Sequence, residues 1–390
     1  MKIAFFSDTY PPEINGVATA TKTLFDAFKK NGHDVFVVTT NPFSKKVEYK
    51  DNVLRIPGIT LKWLYSYNMA GFINPKATKI IKKWSLDIIH VQTEAGIGIY
   101  GRLLASKLKI PLVYTYHTMY VDYTYYVTKG VLDPAAKGIV KKWTKSVSSS
   151  VTEMTTPSLK TKNALREYGV DRYINVIPNG IDLEMFEERN IDKNFIKEFK
   201  EKNKIEDKYI LLSLGRVAKE KAIDVLLEGY ATFLKNSTND NTVLLIVGDG
   251  PDRNRLENLA FELGISKNVI FVGKVPHEQV PYFYFMSNLY ISASTSETQG
   301  LTFIEAIAAK TLVLCRFDEN LEDVIKEGKT GFFFSDNKSF NQKLISILKM
   351  NEEEQNRIIQ QAYEQNQKYS IDTFYDRMYE VYKRAIRKNW

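Results

Sequence analysis

Two carboxylates and two cations carry the most chemistry in this chain of 390 residues. The run Ser296-Glu297-Thr298-Gln299-Gly300-Leu301-Thr302-Phe303-Ile304-Glu305-Ala306 follows an apolar strand pattern and opens a helical one. It places Glu297 in a loop and Glu305 about two turns into a helix. A loop carboxylate can accept hydrogen bonds from sugar hydroxyls, and a helical one can hold a ribose. Gly300 leaves backbone N–H groups open at the helix start, which favours an anion. On spacing alone the same pair fits two surface glutamates. Earlier, Gly215-Arg216-Val217-Ala218-Lys219-Glu220-Lys221 sets two cations five residues apart just before a helix. Arg216 can fork two oxygens and Lys221 can act as a point charge, which suits a diphosphate. Such a clamp would stabilise charge building on a leaving nucleotide. A solvated charge cluster fits these residues as well.

Other candidates stand at the ends of strands. His117, in Thr115-Tyr116-His117-Thr118, can donate to a sugar or phosphate oxygen, or it can be a satisfied histidine under a loop. The first loop, Asp8 to Val17, ends in Gly16 at a helix start, where an anion is favoured and a ligand can approach closely. Gly248-Asp249-Gly250-Pro251 is a turn too common to specify anything. Gly96-Ile97-Gly98-Ile99-Tyr100-Gly101 fits the dinucleotide fingerprint, but it follows a late strand and no acidic residue ends the next one. Close helix–sheet packing is the better use of these glycines.

The elements that position these residues alternate. Strand patterns at Ile3–Ser7, Asp34–Thr40, Asp87–Val91, Pro111–Tyr116, Val151–Thr156 and Ile174–Ile177 are interleaved with helical patterns at Val17–Lys30 and near Gly98–Leu108. The alternation restarts with strands at Tyr209–Leu214, Thr242–Val247, Val269–Val272 and Leu289–Ser292, and helices over 220–235 and 253–263. Both halves therefore predict parallel α/β sheets built from βαβ units. The boundary falls near residues 178–206. From Ser339 onward the chain reads as helical, with Phe374, Met378, Val381 and Ala385 at helical spacing. In open α/β sheets ligands bind beyond the carboxyl ends of strands, so two such domains would hold a ligand in a cleft between them.

Composition narrows the classes. Hydrophobic residues make up 44% and charged residues 26%, an ordinary globular balance, so disorder is excluded as the main reading. The single cysteine, Cys315, rules out an internal disulfide framework and reads as a small buried hydrophobe. No secretory signal and no membrane-spanning run is evident, which implies a cytoplasmic protein. Residues 1–170 carry 24 basic and 12 acidic side chains, a balance of +12, and the remainder balances to −4. The basic half suggests an anionic partner.

In these motifs the chain resembles the retaining glycosyltransferases of family 4, along nearly its whole length. Glu297 and Glu305 match that family's Glu-x7-Glu signature. Arg216 and Lys221 match its diphosphate pair, Gly16 the glycine of its first loop, and His117 its active-site histidine. Pro178 to Asp182 matches the segment joining the domains. The resemblance implies the GT-B fold: two Rossmann-like α/β domains facing a central cleft, with C-terminal helices bracing both. It implies an N-terminal acceptor domain at 1–178, a nucleotide-sugar domain at 179–370 and a helix at 371–390 crossing back. Glu305 would then bind the donor ribose and Glu297 the transferred sugar. The Gln299-Gly300-Leu301-Thr302 stretch would meet sugar and diphosphate, and Lys274-Val275 would read the base. The donor is expected to be a UDP-sugar, with no obligatory cofactor, and no obligatory metal is expected since no Asp-x-Asp pair is present. Ala222 and Lys310-Thr311 depart from the family pattern, which has glycine after the Lys and a glycine–aliphatic pair after the signature helix.

The acceptor is sought in the first half. Leu61 to Met69 mixes Trp63, Tyr65 and Tyr67 with Lys62, and Lys76, Lys79, Lys82, Lys83 and Trp84 follow. Lys137, Lys141, Lys142 and Lys145 surround Trp143. Cations beside aromatics suit an anionic bilayer at ~1 kcal/mol each. No nucleic-acid motif accompanies them. The run His117 to Tyr123, with Tyr120 and Asp122, resembles the matching loop of bacterial diacylglycerol glucosyltransferases, peripheral membrane members of the family. That likeness implies diacylglycerol as acceptor and UDP-glucose as donor at the inner face of the cell membrane. A saccharide or polyprenyl-linked acceptor and a non-enzymatic scaffold are the alternatives.

Overall fold

The structure, a computed structural model, describes residues 1–13, 15–61, 67–117, 133–237, 241–294 and 299–388. The chain divides into two compact units, Met1–Gly180 with Ile371–Trp390, and Ile181–Ser370.

The first unit holds β1 (Lys2–Phe6), β2 (Asp34–Asn41), β3 (Glu48–Lys50), β4 (Val53–Leu61), β5 (Tyr67–Ala70), β6 (Ile88–Val91), β7 (Leu112–Thr115), β8 (Glu153–Thr156) and β9 (Asn175–Val176). Helices α1 (Gly16–Lys30), α2 (Pro75–Lys82), α3 (Gly96–Leu108), α4 (Asp133–Ser149) and α5 (Leu159–Glu167) connect them. The sheet order is β3-β4-β2-β1-β6-β7-β8-β9, and β5 pairs with β4. The strands run parallel except β3 and β5, which pair antiparallel with β4. These two hairpin partners are absent from the sequence reading. Asp51 and Asn52 both adopt positive φ, the geometry of a tight hairpin turn between β3 and β4. The aromatic segment that reads as a bilayer contact is partly β5, with Leu61 paired to Tyr67.

The second unit holds α6 (Lys193–Asn203), β10 (Tyr209–Leu214), α7 (Ile223–Asn236), β11 (Thr242–Val247), α8 (Arg253–Glu262), β12 (Val269–Gly273), α9 (Val280–Met286), β13 (Leu289–Ser292), α10 (Leu301–Ala308), β14 (Leu312–Arg316), β15 (Phe332–Phe334), α11 (Asn337–Leu348) and α12 (Glu352–Asn366). Its strands are all parallel, in the order β12-β11-β10-β13-β14-β15. Their near-continuous apolar runs are buried on both faces, as helix-covered parallel strands require. Cys315 is fully buried on β14.

The last helix, α13 (Ile371–Lys388), belongs to the first unit. Phe374, Met378, Val381, Tyr382 and Ala385 bury one face of it against Leu24, Phe28, Val35, Ile88 and Val113. Burying each of the larger side chains contributes ~1.5–3 kcal/mol. Two tyrosines one heptad apart tie the helix to histidines: Tyr375 Oη is 3.0 Å from His33 Nε2 and Tyr382 Oη is 2.6 Å from His90 Nδ1.

Candidate active site

In the second sheet, the first strand in sequence lies in the middle. Its neighbours β11 and β13 diverge from it, so the crevice at the carboxyl ends of β10 and β13 is the topological switch point where such sheets bind ligands. A pocket opens there, lined by Gly215, Arg216, Lys221, Tyr290, Ser292 and Thr302 among others. The two cations therefore meet beside the start of α10. The Arg216 side chain is 58% exposed, and its nearest carboxylate, Glu220, lies 3.8 Å away in a solvent-screened pair. Lys221 is half-buried. Helix α7 starts at Ile223 and not at residue 220, because a turn at Lys219–Lys221 ends in Ala222 at φ +47°. That left-handed residue turns the chain out of the cation loop into the helix. The Gly248-Asp249-Gly250 turn packs beneath this loop: a Cβ on Gly248 would stand 1.8 Å from Gly215 O, and one on Gly250 would stand 2.2 Å from Val217 O.

Helix α10 has no side-chain cap. Gly300, at φ +71°, starts it, and its carbonyl accepts from the N–H groups of Phe303 and Ile304. The N–H groups of Leu301 and Thr302 make no backbone hydrogen bond among the described residues. Helix-start donors of this kind favour a negative group. Glu305 is the fifth residue of the helix, little more than one turn in and not two. Tyr284 Oη donates to Glu305 Oε2 at 3.0 Å. Burial pushes the Glu305 carboxyl up to about 7, against the pull of that hydrogen bond. Tyr284 has no sequence signal beyond its place on an apolar helix. Lys274 is exposed and Val275 half-buried just past β12, whose Gly273 accepts from Gly248 N at 2.9 Å.

The first sheet has the same middle-strand arrangement, with β1 beside β6, and its strand ends are wired by side chains. Asp8, 1% exposed, accepts from Thr93 Oγ1 at 2.6 Å and from Ile97 N at 2.8 Å, at the start of α3. A Cβ on Gly98 would lie 1.8 Å from Thr93 O, and one on Gly101 would lie 2.8 Å from the Phe6 ring. The fingerprint-like glycines thus serve close helix–sheet packing. Gly16 opens α1 behind its cap Asn15, whose side chain accepts from Ala18 N at 2.9 Å, and a Cβ there would meet nothing within 4 Å.

His117, 9% exposed at the end of β7, stands 2.6 Å from Gln92 Oε1 through Nε2. Burial lowers its pKa to about 4, so the ring is neutral at physiological pH. Sequence reasoning passed over Gln92 and His90. The available signal was their position, two apart where β6 ends, hence on one face.

The expected bilayer contacts divide. Lys82, Lys83 and Lys142 are exposed. Lys141 lies over the Tyr168 ring at 5.4 Å, and Trp143 packs half-buried against the core beneath Arg102. Trp84 is a core residue stacked on Phe36 at 4.4 Å, a correction to its reading as a surface aromatic. Exposed apolar side chains that the sequence did not single out are Ile59 at 73%, on β4, and Phe72 at 48% and Ile73 at 71%, directly before α2 and its lysines. Glu297, Trp63, Tyr65, Tyr120 and Asp122 lie outside the described residues. Among the described residues, no helix is long and apolar enough to cross a membrane.

Residues 14–185 match the model of glycosyltransferase family 4, and residues 194–365 match that of glycosyl transferases group 1. The chain is 35% identical to an alpha-monoglucosyldiacylglycerol synthase of Streptococcus pneumoniae over 393 residues, covering all of this chain and 87% of that one. A synthase of the same name from Acholeplasma laidlawii is 34% identical over 354 residues, covering 89% of this chain and 88% of that one. Among solved structures, Anabaena HepE in complex with UDP superposes with a TM-score of 0.74 at 14% identity, over 98% of this chain and 100% of that one. Sucrose-phosphate synthase from Thermosynechococcus elongatus gives 0.75 at 18% identity over the full length of both chains.

Proposed function

The chain belongs to glycosyltransferase family 4 and has the GT-B fold, and from that footing we propose that it transfers glucose from UDP-glucose to diacylglycerol with retention of anomeric configuration. The observation that carries this reading is the 35% identity, over the whole chain, to a synthase whose name specifies that product.

The donor side rests on the second unit's pocket. Arg216 and Lys221 take the diphosphate and disperse the charge that grows as the nucleotide leaves. The N–H groups of Leu301 and Thr302, which make no backbone hydrogen bond among the described residues, support the same anion. Glu305 holds the ribose, Lys274 and Val275 flank the base, and Glu297, Gln299 and Gly300 meet the transferred sugar. Gly16 admits the donor closely, and His117 bonds a sugar hydroxyl. None of these roles requires a metal or a protein nucleophile. The acceptor side rests on the basic first half. Ile59, Phe72 and Ile73 are exposed, as are Lys76, Lys79, Lys82 and Lys83, and such side chains suit a peripheral contact with the anionic inner leaflet.

The test is a product screen by mass spectrometry, pairing UDP- and GDP-sugars with diacylglycerol in anionic or neutral vesicles and with soluble saccharides. Glucosyl-diacylglycerol formation from UDP-glucose, faster on anionic vesicles, is the expected result. Transfer to a soluble saccharide with no response to vesicles would overturn the lipid reading.

A further inference from the structure

Three side chains stand behind His117, and none belongs to the donor pocket. His90, on β6, is completely buried, with both ring nitrogens engaged: Nδ1 by Tyr382 Oη at 2.6 Å and Nε2 by Thr115 Oγ1 at 2.7 Å. The Gln92 amide nitrogen lies 3.2 Å from both of those nitrogens. An in-plane approach equidistant from the two would collide with the carbon between them, so the amide nitrogen sits over the ring face. The face of an aromatic ring is its negative side, which attracts an N–H and repels a carbonyl oxygen. This settles which way the Gln92 amide points: nitrogen over His90, oxygen toward His117. The oxygen only accepts, so the partner at 2.6 Å, His117 Nε2, must carry a proton. A neutral imidazole has one proton, and Nδ1 is then bare. Nδ1 makes no hydrogen bond among the described residues.

We propose that Gln92 is a positioning residue that holds His117 as its Nε2–H tautomer, and that His90 and Tyr382 hold Gln92. His117 consequently offers the sugar a hydrogen-bond acceptor at Nδ1, not a donor, and selects a hydroxyl over a phosphate oxygen. On this proposal His117 accepts from the sugar where the sequence expectation has it donate. The chain of contacts begins on α13, so the C-terminal helix contributes to the histidine's chemistry through Tyr382 as well as to the first unit's core. The functional half of this proposal rests on the assignment of His117 to the sugar; the tautomer itself does not.

Nitrogen-15 labelling of histidine reads the tautomer directly, and the chain's four histidines can be assigned by single replacement. The intact protein at neutral pH is expected to show His117 protonated at Nε2, and Gln92→Met is expected to give a tautomer mixture. A wild-type His117 protonated at Nδ1 would overturn the proposal without any variant. In turnover, Gln92→Met should lower kcat/KM by roughly 10–100-fold, by analogy with the loss of a partner that orients a metal-bound histidine. Tyr382→Phe should lower it by a smaller factor. In a His117→Ala background, Gln92→Met should add no further loss, because it acts through the ring. An equal loss in both backgrounds overturns the proposal. Full turnover by His117→Ala alone would instead remove the sugar assignment, while the spectrum still reports the tautomer.

Discussion

Two sheets in this chain share one strand plan, and their strand ends are finished in opposite ways. In the first unit the described residues at the ends of β1, β6 and β7 are tied together by side chains. Asp8 is satisfied by Thr93 and by the start of α3, and His117 is satisfied by Gln92. In the second unit the described residues beyond β10 and β13 present a largely exposed Arg216, a half-buried Lys221 and a helix start whose Leu301 and Thr302 N–H groups make no backbone hydrogen bond among the described residues. The lesson is that topology chooses where a ligand sits and side chains choose what it is. An open cationic loop is built for a charged group brought in from solvent. A closed network of side chains is built to hold one polar side chain in one orientation.

The largest effect should come from removing the cations of the pocket. Lys221→Ala, and Arg216→Ala beside it, should each lower kcat/KM for the UDP-sugar by roughly 100- to 1000-fold, the range for losing one donor to developing charge. Release of UDP at saturating acceptor is the measurement. A loss below about tenfold would mean that the pocket is not the diphosphate site. Stability of Arg216→Ala should hardly change, since among the described residues Arg216 makes a screened surface pair with Glu220.

Two glycines at helix starts sharpen the contrast. Gly300 opens α10 at φ +71°, and a Cβ there would stand 2.6 Å from Leu321 Cδ2 and 2.9 Å from Phe303 Cδ2. Gly300→Ala should cost about 2–4 kcal/mol through left-handed strain and overpacking together. Gly16 opens α1 with nothing within 4 Å of a Cβ. Gly16→Ala should therefore leave the denaturation midpoint unchanged and raise only the KM for the donor. If both variants unfold alike, the assignment of Gly16 to close ligand approach is wrong.

The titrating groups differ in sign between the regions. His117 is neutral because burial lowers its pKa to about 4, so it does not titrate across the working range. Glu305 is raised to about 7 by burial, so it does. The folded, donor-free protein keeps a proton on Glu305 at pH values where the unfolded chain has lost it. Its contribution to stability is therefore fullest below the ordinary carboxylate pKa and is lost as pH rises to about 7. Ribose hydroxyls donate best to the ionised form, so donor binding has the opposite trend. The KM for UDP-glucose should fall roughly tenfold between about pH 6 and about pH 8. Glu305→Gln should flatten that profile.

The sequence made the parallel core legible because buried strands such as Tyr209–Leu214 and Thr242–Val247 are continuous apolar runs, which need no knowledge of partners. It hid β3 and β5, whose short mixed segments become strands only by pairing with β4. Candidate site residues were legible where a charge or a glycine stood in a strand-to-helix loop, as at Arg216, Lys221 and Gly300. Gln92, His90 and Tyr284 were not, because their roles come from contacts across 25 residues to His117, 292 to Tyr382 and 21 to Glu305. Trp84 and Trp143 misled for the same reason: an aromatic beside lysines looks like a surface feature until the core that receives it is known.

The smallest effect concerns the two departures from the family pattern. Ala222 and Lys310 both stand where the family usually has glycine, and both adopt positive φ, +47° and +57°. The departures are thus backbone strain, and their side chains need not alter the sugar chosen. Lys310 recovers part of the cost by placing its ammonium 5.2 Å from the centre of the Tyr363 ring. Ala222 has no such contact to offer. Ala222→Gly should therefore stabilise the second unit by about 1 kcal/mol, from relieved left-handed strain less the glycine's greater freedom when unfolded. Lys310→Gly should gain less. For a unit of this size the shift is about 2–4 °C in thermal midpoint for Ala222→Gly, read by calorimetry. A fall in the midpoint would show that the unfolded-chain entropy outweighs the strain. A faster exchange of the Lys221 amide in the variant would show, in addition, that the strained alanine holds the open cationic loop in place.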